Sequence, residues 1–294
     1  MIKPLQIYAS GEYFHQVTEP LPDLKLLTQQ VTGKTIRRVG RFIQLALIGA
    51  ARCRHQQTMP SSTAVYFGSG RGDLEMTLEI MTQLFREGQT PKPLNFVNTV
   101  SNAACFYIAQ IMGLQSRSNF VCNPYFAFES VLQLAALDLS TGQIDSALVG
   151  TTDIATNPLA EHRQRLNLQP DSPVGEGSHW LWLGTEDPHR PRIGQLLSTQ
   201  NFSSLEELLV WINKHPLKNC ILAAGQTLPE TDFALIKYNT NLSNSPNLSS
   251  HSAHYDSQSG ATVCRFLESA APGEKMLHIN SDNSQRYSMM LIER

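Results

Sequence analysis

The spacing of apolar residues along the chain alternates between two patterns. From Ile36 to Cys53 apolar side chains recur every three or four positions, which is typical of a helix with one buried stripe. Short apolar runs such as Ala64–Phe67 are instead typical of buried strands. The predicted helices are 36–53, 74–87, 101–112, 125–139, 205–214 and 261–269, and the predicted strands are 64–67, 118–122, 144–149, 179–183, 220–223 and 288–293. The mixture predicts an α/β protein.

The predicted helix at 125–139 is apolar on almost every face. A helix of this kind is normally covered on all sides, so the pattern indicates a layered protein with buried central helices. A polar stretch at 159–173 divides the chain into halves, residues 1–160 and 161–294, which we expect to form one compact unit. The segment 238–250 is rich in Asn and Ser and is predicted to be a surface loop.

The composition fits a globular protein and argues against two kinds of partner. With 294 residues, of which 41% are hydrophobic, the chain is long enough to bury a full core. Its formal net charge of −2 comes with no dense basic stripe, so we expect no nucleic-acid partner. We see neither a secretory signal nor a run of roughly 18 apolar residues, and therefore expect a soluble, cytoplasmic protein without a membrane partner.

The cysteines show no pattern of a disulfide framework or of a zinc site. They are Cys53, Cys105, Cys122, Cys220 and Cys264. Their number is odd, their spacing is wide, and no CxxC pair or histidine lies at metal-ligand spacing, so we expect no metal and no cofactor. The glycine cluster Gly68–Gly72 lacks the lysine and the Ser or Thr of a phosphate-binding loop, and instead predicts a tight strand-to-helix turn.

Three segments resemble, in their order and spacing, parts of the β-ketoacyl synthase family of the thiolase superfamily. They are Arg37–Phe42, the segment Gly142–Gly150 (GQIDSALVG), and Gly175–Gly177 with the apolar strand after it. The resemblance spans nearly the whole chain. It implies a thiolase-like α/β fold of two similar βαβαβ halves with buried central helices and reduced loops.

The resemblance also implies where the family's catalytic residues would lie. The nucleophilic cysteine stands where a strand enters a central helix, and the family spacing places that position on Tyr125. The first active-site histidine matches Ala224 and the second matches His254. A phenol, with a pKa of about 10, cannot replace a thiolate in acyl transfer. With His254 alone, the oxyanion stabilisation that two histidines provide cannot be assembled.

Two further family features are missing from the segments that match them. The family lysine matches Ser249. The loop rich in glycine and phenylalanine before the last strand matches Asn280–Arg286, which contains neither residue type. No catalytic set is intact, so we expect the chain not to be an enzyme on its own.

The resemblance favours a chain-length-factor type subunit, which pairs with an active ketosynthase as a heterodimer and shapes its acyl tunnel. Such subunits resemble the partners found in aryl polyene and type II polyketide systems, within fatty acid and polyketide biosynthesis, and they meet acyl carrier protein through the complex. The strand 118–122 would lie at the interface. The candidates for the tunnel wall or interface are Cys122, Tyr125, Phe126 and Phe128; alternatively, the aromatic residues fill this subunit's own vacated pocket.

Two other functions stay open at this point. Cys122 lies next to the helix start predicted at Asn123–Pro124, and a helix N-terminus favours a thiolate. Cys122 would then be the nucleophile of an active β-ketoacyl-acyl carrier protein synthase. A stand-alone acyltransferase or thioesterase would need a catalytic triad that the sequence does not show.

Overall fold

Strands and helices alternate along the chain, as the apolar pattern predicts. This computed structural model describes residues 3–17, 20–54, 58–215, 217–218, 220–240, 242–244 and 253–294. Its strands are β1 (Leu5–Gln16), β2 (Ala64–Ser69), β3 (Ser118–Cys122), β4 (Ser146–Asp153), β5 (Gly175–Gly184), β6 (Gly194–Phe202), β7 (Cys220–Ala224), β8 (Ser243–Asn244), β9 (Lys275–Ser281) and β10 (Tyr287–Glu293). Its helices are α1 (Lys25–Thr32), α2 (Arg41–Arg54), α3 (Leu74–Phe85), α4 (Pro93–Thr99), α5 (Ala103–Met112), α6 (Ala127–Ser140), α7 (Leu159–Arg165), α8 (Leu205–Lys214), α9 (Glu230–Thr240) and α10 (Gln258–Ser269). None of these helices combines the length and the apolar content that crossing a membrane requires.

The strands form one sheet in which both halves repeat the same topology. The order across the sheet is β3-β2-β4-β5-β1-β6-β10-β9-β7-β8. Counted from the outer edge towards the centre, the first half has the order β3, β2, β4, β5, β1 and the second half has the order β8, β7, β9, β10, β6. When the strands of each half are numbered from one to five along the chain, the two orders are the same. The three strands nearest each edge are parallel, and the pairs that follow are antiparallel. The two similar halves expected from the resemblance are therefore present, and β1 joins β6 between them. The boundary near residue 160 stays a prediction.

Helices α6 and α10 lie between the two halves of the sheet. Their apolar residues, including Phe128 and Phe266, share one buried core with strands of both halves. A second core joins α2 and α5 to the first half, and a third joins α8 and α9 to the second half. The fold therefore has five layers, in which layers of helices alternate with layers of sheet. The expectation of buried central helices is confirmed.

Several elements escape the apolar pattern. Strands β1, β6 and β9 mix polar and apolar residues, and we did not predict them. The loop predicted at 238–250 is wrong where the structure describes it, because 238–240 complete α9 and Ser243–Asn244 form β8. The rest of that segment lies outside the described residues. Among the helices, α2 begins at Arg41 and α6 at Ala127, later than the pattern predicts.

A buried ion pair connects two of the segments that carry the family resemblance. The Arg41 guanidinium, at the start of α2, donates to both carboxylate oxygens of Glu176 in β5, with Nε 2.8 Å from Oε2. The Glu176 side chain is fully buried and that of Arg41 is 11% exposed. Beside this pair, a Cβ added to Gly177 would lie 2.5 Å from Nε2 of His179, so only glycine fits there. The two segments therefore meet in the fold although they lie far apart in the sequence.

Candidate functional site

Residues from both halves of the chain meet at one end of the central helices, around a cavity of about 450 Å³. Tyr125 comes from the turn between β3 and α6, and His254 from the segment before α10. Gln226 follows β7, and Asn283 lies in the turn between β9 and β10. We call this the site cavity; its lining is Arg71, Pro124, Tyr125, Arg165, Leu166, Asn167, Leu168, Gln226, Thr227, His254, Tyr255, Asp256, Gln258, Ser259, Asn280 and Asn283.

The turn that leads from β3 into α6 is held by the side chain of Asn123. Its Oδ1 accepts hydrogen bonds from the backbone N–H groups of Tyr125 and Phe126, each at 3.1 Å. This Asx turn satisfies two donors just before the helix, so α6 begins at Ala127 rather than at the predicted position. Tyr125 therefore lies at the entrance of a buried central helix, and its match to the family's nucleophile position stays a prediction.

Tyr125 is fixed by two asparagines from the opposite half of the chain. Asn283 Nδ2 donates to the phenol oxygen at 2.6 Å, and Asn280 Nδ2 donates to the Tyr125 carbonyl at 2.9 Å. Both asparagines belong to the segment that replaces the family's glycine- and phenylalanine-rich loop. The ring and the helix entrance are thus tied to the β9–β10 turn.

His254 reaches the site cavity and contacts Gln226. Its Nδ1 forms a hydrogen bond with Nε2 of Gln226. Its backbone is fixed as well, because the His254 N–H donates to the Pro173 carbonyl at 2.9 Å and the His254 carbonyl accepts from the Gly175 N–H at 3.0 Å. Burial lowers the pKa of His254, so the imidazole is neutral at neutral pH. A neutral ring can exchange hydrogen bonds with a ligand but brings no positive charge.

Ala224, another matched position, is not in the described lining of the site cavity. Ala224 ends β7 and packs against the core between α8, α9 and the second half of the sheet. Gln226, two residues further on, is the neighbour that enters the cavity. Ser249 lies outside the described residues. The structure therefore brings Tyr125 and His254 together, and the role of Ala224 as a vacated histidine position stays a prediction.

Cys122 lies at the end of β3 and is not part of the described cavity lining. Its Sγ is 3.3 Å from the carbonyl oxygen of Gly70. Partial burial, followed by the negative charges of Asp153 and Asp256, raises the pKa of the thiol, and the charge of Arg71 opposes this only in part. Burial and the two carboxylates thus oppose the thiolate that the helix N-terminus was expected to favour.

The two phenylalanines that follow Tyr125 differ in their burial. Phe128 is fully buried in the core around α6 and α10, and a Cβ added to Gly260 would lie 3.0 Å from its ring. Phe126 is half-buried at the start of α6. Phe128 therefore packs within the chain's own core, and its role in a tunnel wall stays a prediction.

A buried polar network below Tyr125 was not found from the sequence. The carboxylate of Glu129, in α6, accepts hydrogen bonds from Ser259 at 2.7 Å and from Asn280 at 3.3 Å, and burial raises its pKa. Thr227 donates to Asn280 Oδ1 at 2.7 Å. A charged residue in the first turn of a largely apolar helix was an available signal. These groups suit the binding of an uncharged polar ligand by hydrogen bonds.

The glycine cluster after β2 forms the predicted tight turn. A Cβ on Gly70 would lie 2.2 Å from the side chain of Asp256, and Gly72 has a φ of 66°. The Gly70 N–H, which a phosphate loop would offer to its ligand, donates to Asp153 at 2.9 Å. Burial, followed by the negative charge of Asp256, raises the pKa of Asp153, and Arg71 forms an ion pair with Asp256. The turn therefore binds the protein's own carboxylates.

Comparison with known proteins yields structural matches only. No protein-family model and no curated protein matches the chain. The ishigamide ketosynthase/chain length factor matches with a TM-score of 0.75 and 13% identity over 99% of both chains. A type II polyketide synthase acyl-carrier protein in complex with its ketosynthase matches with a TM-score of 0.74 and 12% identity over 99% of both chains. A β-ketoacyl synthase from Burkholderia phymatum matches with a TM-score of 0.73 and 11% identity over 100% of both chains. The chain has the thiolase-like fold that these ketosynthase structures share.

Proposed function

We propose that this chain is a non-catalytic, chain-length-factor type subunit that pairs with an active β-ketoacyl synthase in fatty acid, polyketide or aryl polyene biosynthesis. The observation that carries the proposal is the position of Tyr125. Its ring stands at the entrance of the central helix α6 and is fixed by Asn280 and Asn283. A phenol there blocks the place from which a thiolate would attack a thioester.

The remaining groups of the site cavity support the same conclusion. Among the described residues, no cysteine belongs to the lining. His254 is neutral and engaged with an amide, so it gives little stabilisation to a developing oxyanion. Cys122, the nearest thiol along the chain, has a raised pKa. Decarboxylative condensation would therefore take place on the partner subunit.

The surface around β3 supports pairing with another subunit. β3 forms one edge of the sheet, and its residues are half-buried or exposed. The segment from α3 to α5, which precedes it, carries many exposed apolar side chains: Met81, Leu84, Phe85, Phe96, Val97, Val100 and Phe106. An open edge strand next to such a surface is a liability in a monomer and is typical of an interface. A related ketosynthase chain, whose own third strand can pair with β3, is the partner that we propose.

The contribution to the acyl tunnel would come from the same end of α6. Tyr125 and Phe126 are half-buried and stand between β3 and the helix, whereas Phe128 is enclosed. We therefore assign the tunnel wall to Tyr125 and Phe126, with Cys122 at the interface. Acyl carrier protein would dock on the assembled pair, since the chain itself would hold no acyl group.

The test is co-expression with a tagged, cysteine-bearing ketosynthase encoded beside this chain. We expect the two chains to co-elute in equal amounts, and the pair to release products of a different chain length from those of the ketosynthase alone. A ketosynthase without its own cysteine serves as the control and should pair without turnover. Chains that never co-elute, or identical products with and without this subunit, would refute the proposal.

A further inference from the structure

Three potential metal ligands from distant parts of the sequence meet beside β1. Glu12 in β1 and His179 in β5 are direct partners across the antiparallel pair, and Cys264 approaches them from α10. One ligand atom from each lies within 4.8 Å of the other two. Two of the three residues are enclosed, because His179 is fully buried and Cys264 is only 3% exposed, whereas the Glu12 side chain is 33% exposed. The group differs in this respect from the acidic clusters that are common on protein surfaces.

The distance between two of the donor atoms fits a small metal ion. Oε2 of Glu12 and Nδ1 of His179 lie 3.5 Å apart, which is longer than a well-formed hydrogen bond. Two donors on a tetrahedral zinc ion, each 2.0–2.1 Å from the metal, lie about 3.3 Å apart. The sulfur of Cys264 completes a triangle of oxygen, nitrogen and sulfur. The fold thus supplies three ligands, and a water molecule would complete the tetrahedron.

The surroundings of His179 also suit a ligand. Its Nδ1 faces Oε2 of Glu12 at 3.5 Å. Its other nitrogen, Nε2, lies 3.0 Å from the hydroxyl of Tyr255. Metal-binding histidines usually have such an outer partner, which fixes the orientation of the ring.

An open cavity gives a metal ion access to these residues. It has a volume of about 710 Å³ and lies between β1, α1, α2 and α10. Glu12 and Cys264 belong to its lining, whereas His179, the partner of Glu12 across the strands, does not. A divalent cation bound by a carboxylate, a thiolate and a neutral imidazole would form a site of zero net charge, which can be buried at modest cost.

We propose that Glu12, His179 and Cys264 form a Zn²⁺ site that ties β1 and β5 to the central helix α10. A mixed set of sulfur, nitrogen and oxygen donors selects zinc over magnesium or calcium, which prefer oxygen ligands alone. The proposal is independent of the proposed function, because Tyr125 and the pairing surface play no part in it.

The test is titration of the chelator-treated full chain with Co²⁺, which adopts the same tetrahedral geometry as zinc and absorbs visible light. We expect one equivalent of Co²⁺ to produce a thiolate-to-cobalt charge-transfer band with intense d–d bands, and one equivalent of Zn²⁺ to abolish them. The absence of the charge-transfer band from the unmodified chain would overturn the proposal without any variant.

Matched variants identify the ligands. Cys264→Ser should lose the charge-transfer band, whereas Cys220→Ser, which alters another buried cysteine, should keep it. Glu12→Gln should weaken Co²⁺ binding by about tenfold or more, and Glu268→Gln, a carboxylate in the same cavity lining, should leave it unchanged. If circular dichroism shows that Cys264→Ser does not fold, the comparison of Glu12→Gln with Glu268→Gln tests the site instead. A band retained in a folded Cys264→Ser protein, or equal effects at Glu12 and Glu268, would refute the site.

Discussion

Tyr125 determines what the entrance of α6 can do. A helix N-terminus carries roughly half a positive charge, which would stabilise a thiolate at this position. The phenol instead accepts a hydrogen bond from Asn283 and lines the site cavity. The neighbouring thiol of Cys122 lies outside the lining of the site cavity, beside Asp153 and Asp256, whose charges oppose its ionisation.

The reactivity of Cys122 tests this description of the helix entrance. Because its pKa is raised, the thiolate fraction at pH 7 is smaller than that of a free cysteine. We therefore expect iodoacetamide to label Cys122 more slowly than it labels glutathione at pH 7, with a rate that keeps rising beyond the ordinary cysteine pKa. Peptide mapping by mass spectrometry gives the rate, and Cys122→Ala is the control. Fast, selective labelling at pH 7, with loss of condensing activity in Cys122→Ala, would instead favour the active-synthase alternative.

The ion pair between α2 and β5 is expected to dominate the local stability of the first half. Glu176→Gln leaves the Arg41 guanidinium nearly buried without its counter-charge, which costs about 3–5 kcal/mol. Urea unfolding at pH 7 measures the loss. Glu161→Gln is the matched control, because it breaks an exposed pair with Arg165 and should cost less than about 1 kcal/mol. Equal losses in the two variants would contradict the importance of the buried pair.

Buried histidines are expected to make the fold sensitive to mild acid. Burial lowers the pKa of His278, in β9, to about 4. In the unfolded chain this histidine is protonated below about pH 6.5, whereas in the folded chain it stays neutral down to about pH 4. The free energy of unfolding should therefore fall as the pH drops from 6.5 towards 4, by about 2 kcal/mol between pH 7 and pH 5 for this residue. His278→Gln should remove that part of the slope in urea unfolding curves. An unchanged slope would show that His278 stays neutral in both states or charged in both.

The sequence predicted the layers and the position of the site better than the contacts within it. The apolar run at 125–139 identified a covered central helix, and the ordered motifs identified two similar halves. Strand β1 was missed because it mixes polar and apolar residues on both of its sides, which hides the period of two. Asn and Ser after position 238 suggested a loop, although packing of Ile236 holds the preceding residues in α9.

Within the site, too, the sequence predicted positions better than contacts between distant elements. Tyr125 and His254 were matched from their distances to glycine motifs, and both line the site cavity, while their roles stay predictions. Asn280 and Glu129 were missed because their roles depend on contacts between elements that are distant in the sequence. The Glu12, His179 and Cys264 group was invisible for the same reason, since ligand spacing detects only metal sites built from neighbouring residues.

The pairing surface can be tested with charges placed on exposed aromatic residues. Phe85 and Phe106 are 76% and 61% exposed on α3 and α5. The double variant Phe85→Asp/Phe106→Asp would bury two carboxylates in an apolar contact, so we expect the affinity for the ketosynthase partner to fall by at least about a hundredfold. Tyr238→Asp, on α9 in the other half and 83% exposed, should bind like the unmodified chain. Light scattering of mixtures gives the comparison, and equal binding by all three proteins would remove the surface from the interface.

The most direct test of a non-catalytic role is the covalent state of this chain after exposure to substrate. The purified pair is incubated with acyl carrier protein thioesters, and the intact mass of each subunit is measured. We expect the acyl group to appear on the ketosynthase partner alone, and the mass of this chain to stay unchanged. An acyl adduct on this chain, at Cys122 or at any other residue, would contradict the account.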